Sequence, residues 1–137
     1  FHTVSADRCA DILIPGFELI YLMNAFYAFS EQEKTLAQCR AVAGESARLL
    51  IFDYEDLGGF SDSPFAQLAE AAHWKPPSSQ GLQIQAERQG WRLEKRADLR
   101  KEYLRWYEAL LKRFDQRREM LVRECGEEAF HDARGFY

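Results

Sequence analysis

The sequence predicts an α/β fold in which parallel strands are flanked by helices and a long amphipathic helix follows. Two observations carry this prediction. Residues 17–23 and 48–53 are nearly continuously apolar, which is typical of strands covered on both faces. Residues 30–42, between them, have the periodicity of an amphipathic helix. A strand, a helix and a strand within about 35 residues form a βαβ unit, so the two strands are expected to be parallel with a right-handed crossover.

Local signals predict the other elements of the first half. Residues 1–4 are expected to form a first strand. Residues 30–33 (Ser-Glu-Gln-Glu) are a capping box, which predicts that the helix begins there, and Gly44 is expected to end it. The apolar face of this helix would consist of Leu36, Ala37, Cys39 and Ala43.

Beyond the second apolar segment the composition predicts alternating loops and helices. Residues 54–62 are acidic and contain two glycines, which indicates a loop. A helix is expected to start at Ser63-Pro64 and to end near residue 72. Another short helix is predicted over residues 82–89, and residues 91–97 alternate in polarity as a strand does.

The last third of the chain predicts one long amphipathic helix from Asp98, as the N-cap, to Cys125. Gly126 would end it before a short helix over residues 127–134. We expect packing in the core for most of its aromatic side chains. Its apolar stripe recurs at steps of three and four residues: Leu99, Tyr103, Trp106, Tyr107, Leu110, Leu111, Phe114, Leu121, Val122 and Cys125.

Length, composition and charge exclude several classes of protein. The 137 residues are 47% hydrophobic and 29% charged, which indicates one folded domain. The net charge of −4 argues against a nucleic-acid partner, and the apolar stretches are too short to span a membrane. Cys9, Cys39 and Cys125 are far apart and odd in number, which favours reduced thiols in a cytoplasmic protein, and no residues have the spacing of a metal site.

Polar residues follow each predicted strand. Asp7 comes after the first strand, Asn24 after the second and Asp53 after the third. Because ligands of parallel α/β sheets bind beyond the carboxyl ends of the strands, these three side chains are expected to converge on one edge. The alternative is that they are ordinary turn and cap residues.

Three segments in this order, residues 4–7 (Val-Ser-Ala-Asp), 17–24 (Phe-Glu-Leu-Ile-Tyr-Leu-Met-Asn) and 47–54 (Ala-Arg-Leu-Leu-Ile-Phe-Asp-Tyr), carry a family resemblance. They resemble the second half of the nucleotide fold of class I S-adenosylmethionine-dependent methyltransferases. The resemblance implies S-adenosylmethionine as the cofactor. It places Asp7 at the acidic position that accepts a hydrogen bond from the adenine amino group, and Asn24 and Ala25 against the methionine part.

The sequence departs from this family in lacking its glycine-rich loop and the acid that holds the ribose. The resemblance therefore implies the C-terminal portion of a single methyltransferase domain with a partial Rossmann-like sheet. Residues 1–56 would be the cofactor-side βαβ part, and residues 57–137 would supply substrate-side helices and one strand. Such a piece is expected to be inactive alone and to self-associate through an unpaired strand edge.

Residues 89–107 are similar to bacterial methyltransferases that act on glycine, sarcosine or phosphoethanolamine. The resemblance implies methyl transfer to a small-molecule acceptor, an amine or a similar group. In the functional interpretation the acidic loop over residues 53–62 recognises a cationic or amine substrate, with Asp53 and Glu55 as candidate catalytic bases. The alternative is a solvated loop. An aromatic wall suits an onium group, so the candidate substrate residues are Tyr27, Tyr54, Trp74, Tyr103, Trp106 and Tyr107.

The alternative function is a non-catalytic α/β interaction module. In that case the aromatic helix over residues 99–125 would bind a partner protein, and Asp7 would be a turn residue.

Overall fold

The computed structural model describes residues 3–62 and 66–136, and the chain divides into two units, Phe1–Glu94 and Lys95–Tyr137. The first unit contains strands β1 (Phe17–Met23) and β2 (Ala43–Phe52) and helices α1 (Gln32–Val42), α2 (Ala66–Ala71) and α3 (Ser79–Arg88). It also contains 3-10 helices at Ala6–Asp11, Phe26–Ala28 and Phe60–Asp62. The second unit contains α4 (Arg100–Gln116), α5 (Arg118–Cys125) and α6 (Glu127–Phe136).

The β1-α1-β2 unit confirms the α/β prediction with parallel strands. In the register of the pair, Ile20 lies beside Leu49 and Leu22 beside Ile51, with an irregularity near Phe17. Because β2 begins directly after α1, Gly44 lies inside the strand, and the prediction that it ends the helix is wrong.

Helix α1 presents one stripe to the interior, as its periodicity predicts. Its buried residues recur at steps of three and four, because 3.6 residues complete a turn: Gln32, Thr35, Leu36, Cys39 and Val42. The predicted capping box is wrong, since the N-cap is Glu31 and its side chain makes no capping hydrogen bond. The amide of Gln32 instead donates to the carbonyls of Phe26 (3.1 Å) and Lys75 (2.7 Å), so tertiary contacts fix the first turn.

Within the first unit, one face of the sheet is covered and the other is exposed. Leu19, Tyr21 and Met23 are 58–62% exposed, whereas Ile20 and Leu22 are half-buried. The expectation that both faces are covered is therefore wrong for the part of the chain that the structure describes. The reason is that side chains alternate between faces along a strand, and the helices described here shield one face only.

The predicted first strand is not seen. Phe1 and His2 lie outside the described residues, and Thr3 and Val4 are not in a strand. The following residues form the 3-10 helix Ala6–Asp11, which lies against α1.

The predicted strand over residues 91–97 is wrong, because α3 ends there in a turn. Gly90 has a φ of +79°, and the Trp91 amide donates to the Ala86 carbonyl at 3.0 Å, as in a Schellman motif. The indole of Trp91 then donates to the Leu36 carbonyl at 3.2 Å. The side chain thus packs on α1 instead of alternating along a strand. The predicted helix start at Ser63-Pro64 lies outside the described residues, and α2 is described from Ala66.

The predicted long C-terminal helix is interrupted at Arg117, and its N-cap is Leu99 instead of Asp98. The apolar stripe has no member between Phe114 and Leu121, and charged residues occupy the positions at which it would continue. The break at Arg117 falls in this interval, where no apolar packing supports a continuous helix. Neither α4 nor α5 contains a buried residue, and Trp106 is 54% exposed. The expectation that these aromatic side chains form a core is therefore wrong within this unit.

Helix α6 contributes a buried side chain to the second unit. Phe130 is 2% exposed, and its ring lies 6.2 Å from that of Phe114. The guanidinium of Arg134 pairs with the Asp115 carboxylate at 2.7 and 3.0 Å, which joins α6 to the end of α4.

Replacing Leu36, which is fully buried in α1, tests where the core of the first unit lies. Leu36→Ala is expected to lower the free energy of unfolding by about 2–5 kcal/mol, because it removes buried methyl groups and leaves a cavity. Leu57→Ala is the control: Leu57 is 62% exposed, and its replacement should change stability by no more than about 0.5 kcal/mol. Urea unfolding followed by circular dichroism measures both. Equal losses in the two variants would contradict this core.

Candidate functional site

The carboxylate of Asp53, directly after β2, holds the loop that follows β1. Its Oδ2 atom accepts hydrogen bonds from the backbone N–H groups of Ala25 (3.0 Å) and Phe26 (2.5 Å), with Tyr27 at 3.4 Å. Its Oδ1 atom accepts the N–H of Tyr54 at 2.7 Å. One side chain thus satisfies several amides that no strand or helix ladder uses.

Asn24 makes the turn that leads out of β1. Its N–H donates to the Phe52 carbonyl at 2.8 Å, which extends the pairing of β1 with β2 by one residue. Its φ of +47° lies in the left-handed region, which asparagine enters more readily than most residues. Asn24 and Asp53 thus follow the carboxyl ends of the two parallel strands, whereas Asp7, which was expected to converge with them, does not follow a strand.

Three aromatic side chains come together at this edge. The Tyr27 ring lies 5.3 Å from the Tyr54 ring and 5.4 Å from the Trp74 ring, and both contacts are edge-to-face. We call Tyr27, Tyr54 and Trp74 the aromatic trio. They come from three separate loops, yet the sequence had singled out all three as candidate substrate residues.

Backbone hydrogen bonds fix the segment that carries Trp74, despite its two prolines. The Lys75 N–H donates to the Tyr27 carbonyl at 2.6 Å, and the Asp56 N–H donates to the Pro77 carbonyl at 3.0 Å. His73, with a φ of +56°, ends α2, and the Trp74 N–H returns to the Ala69 carbonyl at 2.7 Å. This is a Schellman motif, and it sets the direction in which the chain leaves α2.

A cleft of about 580 Å³ adjoins the aromatic trio and shares Trp74 with it. Phe29 and Phe60 give it apolar walls, and Glu70, His73 and Lys75 give it ionisable groups of both signs. A cleft of this size fits a small organic molecule.

The other predicted site residues lie elsewhere in the fold. Asp7 lies in the 3-10 helix Ala6–Asp11, not at the end of a strand, and its carboxylate contacts Lys34 Nζ at 3.0 Å and the Ser5 hydroxyl. Glu55 follows Tyr54 and is half-buried. Tyr103, Trp106 and Tyr107 form a group of their own in α4, with ring centroids 5.0–6.4 Å apart.

The hydroxyl of Ser5 and the ammonium of Lys34 hold the pKa of Asp7 below its ordinary value, because both donate hydrogen bonds to the ionised carboxylate. Asp7 is therefore a carboxylate at neutral pH. It keeps the acceptor character that binding an amino group requires.

Sequence reasoning missed Gln32 and the cleft residues Phe29, Glu70 and His73. Gln32 had been assigned to a capping box, and only its burial beneath the Trp74 segment reveals its other role. No local sequence pattern identifies the cleft residues, because they come from segments that are distant in sequence and the turn at His73 is needed to complete the cleft. A glycine at position 73 would have predicted a left-handed turn at the end of this helix.

Among residues 3–62 and 66–136, no group of three or more histidine, cysteine or acidic side chains could hold a metal ion. None of the helices in the described part of the chain has the length and apolar character needed to cross a bilayer. Comparison with protein-family models and with curated proteins gives no match to this chain.

Removing the Asp53 carboxylate tests its role as the anchor of the loop. Asp53→Ala is expected to cost about 1–3 kcal/mol of folding free energy, because the amides of Ala25 and Phe26 lose their acceptor. Asp11→Ala removes an exposed carboxylate paired with Arg8 and should cost no more than about 0.5 kcal/mol. Chemical unfolding measures both, and an Asp53 effect no larger than that of Asp11 would show that the loop does not depend on it.

Titration of Asp7 tests its partners. Ser5→Ala and Lys34→Met are each expected to raise the pKa of Asp7 toward its ordinary value of 3.8, whereas Arg8→Ala, whose side chain pairs with Asp11, should leave it unchanged. Because the folded-state pKa is lowered, the contribution of Asp7 to stability is complete above the unfolded-state pKa. It is lost as the pH falls through the folded-state pKa. Carboxyl ¹³C chemical shifts measure the pKa, and a pKa unmoved by either substitution would contradict these contacts.

Proposed function

We propose that this chain is the C-terminal part of a class I S-adenosylmethionine-dependent methyltransferase that methylates a small-molecule amine. The observation that carries the proposal is the assembly at the carboxyl edge of β1 and β2. There the Asn24 turn, the loop held by Asp53 and the aromatic trio stand next to a cleft of suitable size. The edge beyond parallel strands is where ligands of α/β proteins bind.

The residues at this edge fit the chemical groups of the proposed cofactor. Its sulfonium and a protonated amine are cationic, and the electron-rich faces of Tyr27, Tyr54 and Trp74 attract cations. The left-handed turn at Asn24 and the backbone of Ala25 would lie against the methionine part. Asp7, held ionised by Ser5 and Lys34, would accept a hydrogen bond from the adenine amino group.

When bound, S-adenosylmethionine would supply an electrophilic methyl group on its sulfonium. The protein's residues would orient the acceptor nitrogen in line with that group and exclude water from it, which are the main tasks in such a displacement. The aromatic trio would hold the acceptor, and Glu70 in the cleft would attract its ammonium form before it loses a proton. The two candidate proton acceptors are Asp53, whose oxygens both accept backbone hydrogen bonds, and Glu55, which follows Tyr54.

Binding of S-adenosylmethionine to the complete protein, measured by calorimetry, tests the proposal. Asn24→Gly and Asp7→Asn are each expected to raise the dissociation constant about tenfold or more, because the first removes a polar side chain and the second replaces the charged acceptor by a weaker, neutral amide that carries N–H donors. Glycine is chosen at position 24 because it adopts a positive φ without strain. Asp11→Asn, in the same 3-10 helix as Asp7, is the matched control and should leave the dissociation constant unchanged.

A second measurement separates the acceptor site from the cofactor site. Trp74→Ala is expected to raise the acceptor's KM in a methylation assay with a panel of small amines while the affinity for S-adenosylmethionine stays the same. Absence of S-adenosylmethionine binding by the folded wild-type protein would contradict the proposal. It would favour the interaction module, for which the exposed Trp106 and Leu104 of α4 are available.

A further inference from the structure

Cys9 and Cys39 face each other where the 3-10 helix Ala6–Asp11 lies against α1. Contacts on either side of Cys9 fix this alignment: Asp7 pairs with Lys34 at 3.0 Å, and the Ala10 N–H donates to Gln38 Oε1 at 2.9 Å. Residues 34 and 38 are one helical turn apart, so the segment follows α1 closely. Cys9 lies between these contacts, and the thiols of Cys9 and Cys39 are close enough for each to affect the ionisation of the other.

The two thiols differ in their access to solvent. Cys9 is half-buried, whereas Cys39 is buried, with 4% of its surface exposed. An external reagent therefore reaches Cys9 first, and Cys39 is reached only from Cys9. Cys125, in the second unit, is exposed and offers an internal comparison.

Burial also affects the ionisation of both thiols. It raises the pKa of Cys9, and it raises the pKa of Cys39 to about 11. The hydrogen bond from Cys39 lowers the pKa of Cys9 in part, which makes Cys9 the thiol that more readily becomes the attacking thiolate.

We propose that Cys9 and Cys39 are a site of reversible oxidation, at which a low-molecular-weight disulfide converts the thiol pair into an intramolecular disulfide. The Cys9 thiolate attacks one sulfur of glutathione disulfide, forms a mixed disulfide and releases one glutathione. The Cys39 thiol then loses its proton to solvent, and its sulfur attacks the Cys9 sulfur and releases the second glutathione. The two cysteines are oxidised, and one glutathione disulfide is reduced to two glutathione molecules.

This link would fasten the 3-10 helix Ala6–Asp11 to α1 covalently. The same segment is otherwise held by non-covalent contacts, among which the exposed pair of Asp7 with Lys34 contributes little to stability. The proposal does not depend on methyl transfer, since no step of it uses the edge of the sheet.

Mapping the disulfide in the native protein tests the proposal. The protein is incubated with glutathione disulfide, the remaining thiols are alkylated after denaturation, and the unreduced digest is analysed by mass spectrometry. The expected product is one linked pair of peptides that contain Cys9 and Cys39, which dithiothreitol separates. The link should form about tenfold faster for each pH unit between 7 and 8, because the thiolate fraction rises in that proportion below the pKa.

Two variants serve as matched controls. Cys125→Ser should form the same link at the same rate, because Cys125 takes no part. Cys9→Ser should leave Cys39 as a free thiol, because Cys39 is then without its partner and closed to the reagent. The oxidised wild-type protein should also melt about 5 °C or more above the reduced protein, since the link restricts the unfolded chain.

The wild-type experiment tests the proposal even if a variant does not fold. Two outcomes would overturn the proposal. One is a stable glutathione adduct on Cys9 with Cys39 still alkylated. Another is oxidation confined to Cys125 in protein whose circular dichroism is unchanged. Either result would show that the two sulfur atoms cannot approach to bonding distance in the native fold.

Discussion

The carboxylate of Asp53 is the constraint on which the candidate site depends. Two parallel strands end side by side, and the chain must leave each of them with its backbone N–H groups satisfied. Asp53 satisfies backbone N–H groups at both strand ends. One of its oxygens accepts hydrogen bonds from the amides that follow β1, and the other accepts one from the amide that follows β2. Phe26, buried in the loop so held, and Tyr27 beside it obtain fixed positions as a result.

A second polar side chain, Gln32, connects this loop to a segment that is distant in sequence. Its buried amide donates to Phe26 in the loop and to Lys75 beyond α2. Since a buried amide without partners is costly, the two segments are held at fixed positions relative to α1. Trp74 can therefore complete the aromatic trio although it is far from Tyr27 and Tyr54 in sequence.

The proposed function and the proposed disulfide concern different faces of the same βαβ unit. The aromatic trio lies beyond the carboxyl ends of the strands, whereas the Cys9–Cys39 pair lies along α1. Asp7 belongs to the second region by its contacts, although the sequence had placed it with Asn24 and Asp53. A role for Asp7 in binding adenine therefore requires a ligand that extends from the strand ends to the start of α1.

The parallel pair, the helix between its strands and the positions of Asn24 and Asp53 at the same edge could all be predicted from the amino-acid sequence. These features follow from apolar periodicity and from the rule that parallel strands share a carboxyl edge, and both are local or topological. Prediction from the sequence was wrong at residues 91–97, where the polarity pattern suits a strand, and at Arg117, where it suits a continuous helix. The conformation of these segments depends on tertiary packing, because the contact of Trp91 with α1 and the missing apolar turn before Leu121 outweigh local preference. The cleft beside Trp74 could not be predicted either. His73, which lines it, has a left-handed backbone conformation, and a histidine in a sequence does not predict that conformation.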